Sequence, residues 1–257
     1  MASPEIILAS GYAYFEQEDA NGVLSGGERR ILEAGDMEIT VEPTSLEYWS
    51  TDGQIAERLA NVTTRVARTG KLKTGDMLLT NVAFFLNGTE ATVTQVATPV
   101  VDEPRTGYKD RWMQLGASLT NPTGVRAVSS VVVTGVGGTP TYVLNTDYEL
   151  DAAMGRIRPI TAGAITDGLA LLVDYTPAAN SRTRIATNQL APRKGALRLI
   201  SDNTFGANRD IYIPQVQIVP TGPMVLKSRE AFQGLEFQLL IGTRSGYAQV
   251  YVDGRPV

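Results

Sequence analysis

The chain has 257 residues, of which 43% are apolar and 19% are charged, and its formal net charge is −4. This balance is typical of a globular protein with a substantial core, and the acidic charge does not favour a phosphate-binding surface. The absence of cysteine and histidine excludes disulfides, thiolate and imidazole catalysis, and metal sites built on those residues. We therefore predict a protein that is not an enzyme and binds no cofactor or metal; a hydrolase that uses two carboxylates is the alternative enzyme class.

The first residues show no signal-peptide pattern, and no segment approaches the length that a membrane-spanning helix requires. We therefore expect a soluble protein made in the cytoplasm, with no membrane partner. The acidic residues Glu16, Glu18 and Asp19 follow, in a stretch that continues through several glycines. Such a stretch is typical of a solvated loop, and it equally suits a clasp onto a neighbouring subunit.

Residues 37–42 alternate between apolar and polar side chains, which predicts a half-buried strand that stops at Pro43. The polar side of this strand carries Glu38, Thr40 and Glu42. Farther along, the aromatic pair Tyr48 and Trp49 stands beside a polar, turn-like stretch. Tyrosine and tryptophan are enriched where proteins contact one another, so we interpret this pair as an interface anchor rather than as core.

One helix is predicted from Thr74 to Leu86, since Thr74 can cap its start and Asn87-Gly88 can stop it. Its apolar side chains share one face: Leu78, Leu79, Val82, Phe85 and Leu86. A second, shorter helix is predicted over Gln54 to Ala60.

Two stretches of small, polar and turn-forming residues, 117–127 and 177–183, enclose a self-contained β pattern. This predicts a core whose first part is 1–118 and whose second part is 181–257, interrupted by a β lobe at 119–180. Within the lobe, Asp147, Glu149 and Asp151 alternate, so they share one side of a strand. The pattern favours a solvated strand face over a calcium site or a pair of catalytic carboxylates.

The C-terminal part also reads as strands. Alternation from Leu235 to Ile241 leaves Glu236 and Gln238 on the polar side. The apolar positions between Ile211 and Val219 change parity at Pro214, which predicts a bulge or kink there. The predicted fold is therefore mainly β, with one packed helix and an inserted small β lobe.

Several segments of the C-terminal third form a distinctive series: 195–200, 202–206, 211–222 and 232–241. This series resembles the closing strands of siphophage major tail tube proteins, the subunits of long, non-contractile tails. The strand-then-helix step from residue 65 to residue 86 is similar to that of the same family. The lobe resembles a β module that recurs in phage virion proteins, although many tail tube proteins carry an extra domain at the C-terminus or none.

The resemblance implies a tail-tube-like β-sandwich or barrel that forms hexameric rings, which stack into the hollow tube of the virion tail. The tube would be assembled in the host cytoplasm together with tape measure, tail terminator and distal tail proteins. Double-stranded DNA would pass through it during genome delivery without specific binding. The inner tube of a contractile tail is equally compatible with the pattern.

In such a tube an acidic or neutral lumen repels DNA phosphates, so the genome does not adhere. The lumen-facing candidates are the polar sides of the two clearest strands: Glu38, Thr40, Glu42, Glu236 and Gln238. The subunit-interface candidates are Tyr48, Trp49, Glu16, Glu18 and Asp19. The alternative function is a receptor- or carbohydrate-binding β module displayed on a virion.

Overall fold

The structure, a computed structural model, describes residues 6–24, 26–187, 193–230 and 232–255. The fold is mainly β, as the alternation predicts. In chain order its strands up to the lobe are β1 (Gly11–Gln17), β2 (Arg29–Ile31), β3 (Ala34–Trp49), β4 (Arg58–Thr74) and β5 (Thr89–Gln95), with helix α1 (Leu79–Phe85) between the last two. The strands that follow are β6 (Val100–Gly107), β7 (Met113–Gln114), β8 (Val128–Gly135), β9 (Thr141–Tyr142), β10 (Tyr148–Asp151), β11 (Arg156–Pro159), β12 (Leu169–Pro177), β13 (Asn180–Ala186), β14 (Arg193–Ser201), β15 (Arg209–Thr221), β16 (Leu235–Ile241) and β17 (Tyr251–Gly254).

The chain divides into two compact units, and the second is inserted in the first. The first unit comprises Met1–Ala91 and Ile185–Val257, and the second comprises Thr92–Arg184. The predicted lobe boundaries, 119 and 180, are therefore corrected, chiefly at the start. The reason is that β6 pairs antiparallel with β12, with Gly107 opposite Leu169, so residues well before 119 belong to the second unit's sheet.

The first unit is built on an eight-stranded sheet in the order β2-β1-β14-β15-β16-β4-β3, with β17 also paired to β15. Alternate residues of these strands point into one core, as the period of two requires. Fully buried members include Phe15, Leu72, Leu197, Ile213 and Leu239. Helix α1 covers part of this core, where the Phe84 and Phe15 rings meet edge to face with centroids 5.7 Å apart.

The predicted irregularity at Pro214 is confirmed. In the pairing of β14 with β15, Gly195 lies opposite Val216 and Leu197 lies opposite Ile213. Strand β15 therefore has one more residue than β14 over this interval, which is a β-bulge. The bulge lets Ile213 and Val216, which differ in parity, both enter the core.

The predicted helix is real, but its start and its buried face differ from the prediction. Thr74 ends β4 instead of capping the helix, and its hydroxyl donates to the Leu32 carbonyl at 2.8 Å. Leu78 and Leu79 are about half exposed, whereas the buried helical residues are Asn81, Ala83 and Phe84. The stop is as expected, since Asn87 adopts the left-handed conformation with φ of 47°.

Two further predictions about this region are wrong. No helix forms over Gln54 to Ala60, because residues 58–60 already belong to β4. Strand β3 does not stop at Pro43 but continues to Trp49. Proline is tolerated in β3 because β3 is an edge strand, in which only some of the backbone N–H groups face a neighbouring strand.

The second unit has its own core between a three-stranded sheet, β10-β11-β7, and a four-stranded sheet, β6-β12-β8-β9. Leu115, Val133, Ile157, Ile165 and Val173 are fully buried in it. The chain crosses between the units in β5 and β13, which pair in a two-stranded sheet.

Candidate functional site

The most unusual feature of the first unit is the far end of the β3–β4 hairpin. We call residues 43–66 the arm; they comprise the end of β3, a tip and the beginning of β4. Every residue of the arm is exposed except Ser50, which is half-buried. An isolated two-stranded ribbon is marginally stable in water, because neither of its faces buries apolar surface. The arm is therefore an element that lacks a cover within the described part of the chain.

One face of the arm is apolar. Leu46 lies opposite Val62, and Tyr48 lies opposite Ala60, so these four side chains point the same way; we call them the arm stripe. Leu46, Tyr48 and Val62 are 69%, 63% and 59% exposed. The opposite face carries polar pairs, among them Ser45 with Thr63, whose hydroxyls are 3.3 Å apart.

The stripe lies on the face that is polar in the first half of β3. Even-numbered positions there carry Glu38 and Thr40, while Met37 and Ile39 pack against the core. The hairpin register shifts at Thr44/Ser45, and beyond this point the even positions become apolar. A strand end that stays in water has no need of apolar side chains at these positions. The stripe is therefore a surface that another protein surface could cover.

The predicted lumen residues lie together on the exposed face of β3, β4 and β16. Strand β4 runs between the other two strands, with Lys71 opposite both Glu38 and Gln238, and Lys73 opposite Glu236. The Lys71 and Lys73 ammonium groups lie 3.1 Å from the carboxylates of Glu38 and Glu236. Thr40 and Glu42 extend this face along β3, opposite Thr69 and Ala67.

Sequence reasoning missed the two lysines, so this face is less acidic than its predicted residues suggest. The hydrogen bond with Glu236 raises the pKa of Lys73, so its positive charge is favoured. The signal was available in the sequence, because Lys71 and Lys73 alternate with the buried residues Leu72 and Thr74.

The predicted interface residues fall in two places. Tyr48 belongs to the arm stripe, whereas its neighbour Trp49 lies opposite Arg58 on the other face of the arm. The acidic residues are near β1 and are bound within their own chain. Glu16 accepts hydrogen bonds from the Gly26 and Gly27 amides at 2.7 and 3.1 Å.

The other two acidic residues also have internal partners. The Glu18 carboxylate lies 3.2 Å from the Arg244 guanidinium. Asp19 accepts from the Asn21 and Val23 amides at 2.8 and 2.9 Å, and the bond from Val23 is the main cause that lowers its pKa. These carboxylates shape the loop after β1, and their predicted contact with a neighbour stays a prediction.

A groove of about 690 Å³ opens where the strands near the two ends of the eight-stranded sheet, β1 and β3, approach each other. Its apolar lining includes Ile7, Met37, Leu199, Ile211 and Val252. Asp36 lines it as well, and within the described residues its carboxylate forms no hydrogen bond or ion pair. The groove is therefore a largely apolar opening whose charged lining residues are Asp36, Glu38 and Arg209, and the charge of Asp36 also acts on Lys73.

The alternating acids of the second unit are structural. Glu149 and Asp151 form ion pairs with Arg158 and Arg156 of the adjacent strand, the latter pair at 2.9 Å. The two guanidinium groups also lie over the Trp112 ring, 5.1 and 4.7 Å from its centroid. Glu149 and Asp151 therefore share a partly exposed strand face, as predicted. The prediction is wrong for Asp147, which precedes β10 and is buried.

No group of three or more acidic side chains in the described residues could hold a metal ion. Likewise, the described part of the chain includes no helix long and apolar enough to cross a membrane.

In a comparison with known families, a family model matches residues 14–241. The family is described as Protein of unknown function UCP028589. The chain belongs to this family. The matched range runs from β1 to the end of β16, so the arm, most groove strands and the inserted unit all fall within the family's pattern. No curated protein matches the chain.

Proposed function

We propose that this protein is a structural subunit that polymerises into stacked rings and forms a phage tail tube, the conduit for genome delivery. The arm is the observation that carries the proposal. A folded monomer rarely exposes a contiguous apolar ribbon, and such a surface is typical of a contact with another protein. In this proposal the protein has no catalytic role.

The free edge of β3 supports the same function. This strand is 16 residues long, and among the described residues it has no neighbouring strand on one side. A long free edge is a template for pairing with another chain. In a closed ring of subunits each edge would meet the next copy, so uncontrolled pairing would be prevented.

The exposed face of β3, β4 and β16 suits a lumen that DNA crosses without adhering. It combines the carboxylates of Glu38, Glu42 and Glu236 with the ammonium groups of Lys71 and Lys73. This near balance of charge offers no basic track that would hold the phosphates. The tube would reside in the virion tail after assembly in the host cytoplasm, with tape measure, tail terminator and distal tail proteins as partners.

Electron microscopy of the purified protein over a concentration series tests the proposal. We expect the natural protein to form hollow rings or tubes. A variant with Leu46→Asp and Tyr48→Asp should stay dispersed, because it places two charges on the arm stripe. The matched control, Ser45→Asp with Thr63→Asp, changes the polar face of the same ribbon and should still assemble.

Assembly of the stripe variant at the same concentration as the natural protein would contradict the role of the arm. If the natural protein stays monomeric throughout, the tube function fails. The virion-displayed receptor- or carbohydrate-binding module then becomes the better candidate, and a glycan screen would examine it.

A further inference from the structure

We propose that the arm stripe of one copy docks in the groove of a second copy, so that subunits join head to tail. The inference rests on the proposed self-assembly and names the two surfaces that meet. Both surfaces belong to the first unit and both include residues of β3. The distance between them is therefore set by the length of β3 that separates these residues.

A copy cannot fill its own groove with its own stripe. Met37 lines the groove near the beginning of β3, and Leu46 lies in the arm near its end. Nine residues of extended strand span roughly 30 Å. The occupant must therefore come from another molecule, and each molecule offers one stripe and one groove.

The two surfaces are chemically matched. The groove combines apolar side chains with small residues, including Gly11, Ala13 and Ala34, which leave room for an aromatic ring such as that of Tyr48. The stripe supplies three aliphatic side chains beside this ring, and all four stripe residues are exposed. The apolar groove residues Ile7, Met37, Leu199 and Ile211 are half-buried, so they keep surface that a second copy can cover. Burial of apolar surface is the main favourable term in such contacts.

Charge fixes the direction of docking. Arg65 lies opposite Thr44, next to the stripe, and it forms no hydrogen bond or ion pair within the described part of the chain. Asp36 at the groove likewise forms no hydrogen bond or ion pair there, although its charge acts on Lys73. Docking with Arg65 beside Asp36 and away from Arg209, the cation that also lines the groove, brings opposite charges together and favours one orientation over its reverse.

The symmetry of the assembly follows from this contact. A stripe that meets a groove is a heterologous contact, which repeats from copy to copy until a ring closes or a filament grows. If stripes instead met stripes, the contact would be satisfied in a dimer and growth would stop.

Cross-linking provides a direct test, because the natural chain has no cysteine. Two variants, Tyr48→Cys on the stripe and Val252→Cys at the groove, are mixed and oxidised mildly; Val252 is 58% exposed and so tolerates substitution. We expect a covalent dimer only in the mixture, and a ladder of covalent multimers from the double variant. The control Thr63→Cys, on the polar face of the arm, should not cross-link to position 252.

A charge exchange provides a second test. Arg65→Glu and Asp36→Lys should each raise the concentration needed for assembly by about tenfold, since each creates a like-charge contact. The double variant restores an opposite-charge pair and should recover assembly. Two independent structural defects would not compensate each other in this way.

The outcomes separate this inference from the proposed function. A covalent dimer of the Tyr48→Cys variant alone would show stripe-to-stripe pairing and overturn groove docking. Rings or tubes in which positions 48 and 252 fail to cross-link would overturn it as well, with the tube function intact. Cross-linking between these positions in a protein that never forms rings or tubes would support docking and contradict the tube. A natural protein that stays monomeric, without cross-links, would overturn both.

Discussion

At the scale of single residues, Asp147 orders a loop of the second unit with one carboxylate. Its two oxygens accept hydrogen bonds from the Val143 and Ala164 amides, each at 2.8 Å. The residue is 9% exposed. These two bonds hold the pKa of Asp147 below its ordinary value of 3.8, and the bond from Val143 has the larger effect. Burial acts in the opposite direction.

Replacement of this carboxylate should destabilise the second unit. An amide side chain has one acceptor oxygen, so Asp147→Asn leaves the Val143 or the Ala164 amide without its partner. We expect the free energy of unfolding at pH 7 to fall by about 1–3 kcal/mol, because a hydrogen bond to a charged acceptor is lost. Urea unfolding measures it, with Asp102→Asn as a control because Asp102 has an exposed side chain and already adopts a positive φ.

The same substitution gives a prediction about pH. Because the folded pKa lies below the unfolded value, ionised Asp147 contributes stability above that value, and this contribution is lost as the pH falls through the folded pKa. The difference in unfolding free energy between the natural protein and Asp147→Asn should therefore narrow below about pH 4. A difference that stays constant from pH 7 to pH 3 would refute this account.

At the scale of elements, the arm is separable from the fold. No residue from 43 to 66 is buried, so the core of the first unit does not depend on them. We predict that joining Thr44 to Arg65 through an Asn-Gly turn, which suits a two-residue hairpin, leaves the thermal midpoint unchanged and abolishes assembly. Calorimetry and light scattering measure the two effects, and a shortened protein that unfolds would show that the arm supports the core.

The sequence predicted those strands in which apolar and polar residues alternate within the strand itself. Alternation identified β16 and the first half of β3, and the parity change at Pro214 predicted the bulge in β15. The start of the second unit was missed, because β6 is placed by pairing with the distant strand β12. The face of α1 was also missed, since contact between Phe84 and Phe15 decides which residues are buried.

The candidate site was predicted in part for the same reason. Polar alternation indicated Glu38 and Glu236, and the aromatic pair indicated Tyr48. The continuation of β3 beyond Pro43 was not predicted, because proline usually ends a strand unless the strand is at an edge. The groove could not be predicted, since it forms only where the curled sheet brings residues of β1 and β3 together.

At the scale of the whole molecule, two separate cores predict separate responses to mutation. Leu239 is fully buried in the first unit and Ile157 in the second. Each replacement by alanine should cost about 2–5 kcal/mol. Hydrogen exchange should show faster opening of the first unit's strands in Leu239→Ala, and of the second unit's strands in Ile157→Ala. Uniform acceleration of both units by either variant would show that they unfold as one.

The pairing of β5 with β13 has a consequence for engineering. The chain leaves the first unit in β5 and returns in β13, and paired strands lie about 5 Å apart. The first unit therefore requires only that an inserted domain bring its two ends to within this short distance. If the subunits polymerise, an enzyme or antigen whose termini lie close together could replace residues 92–184, and the assembly would carry one cargo per subunit.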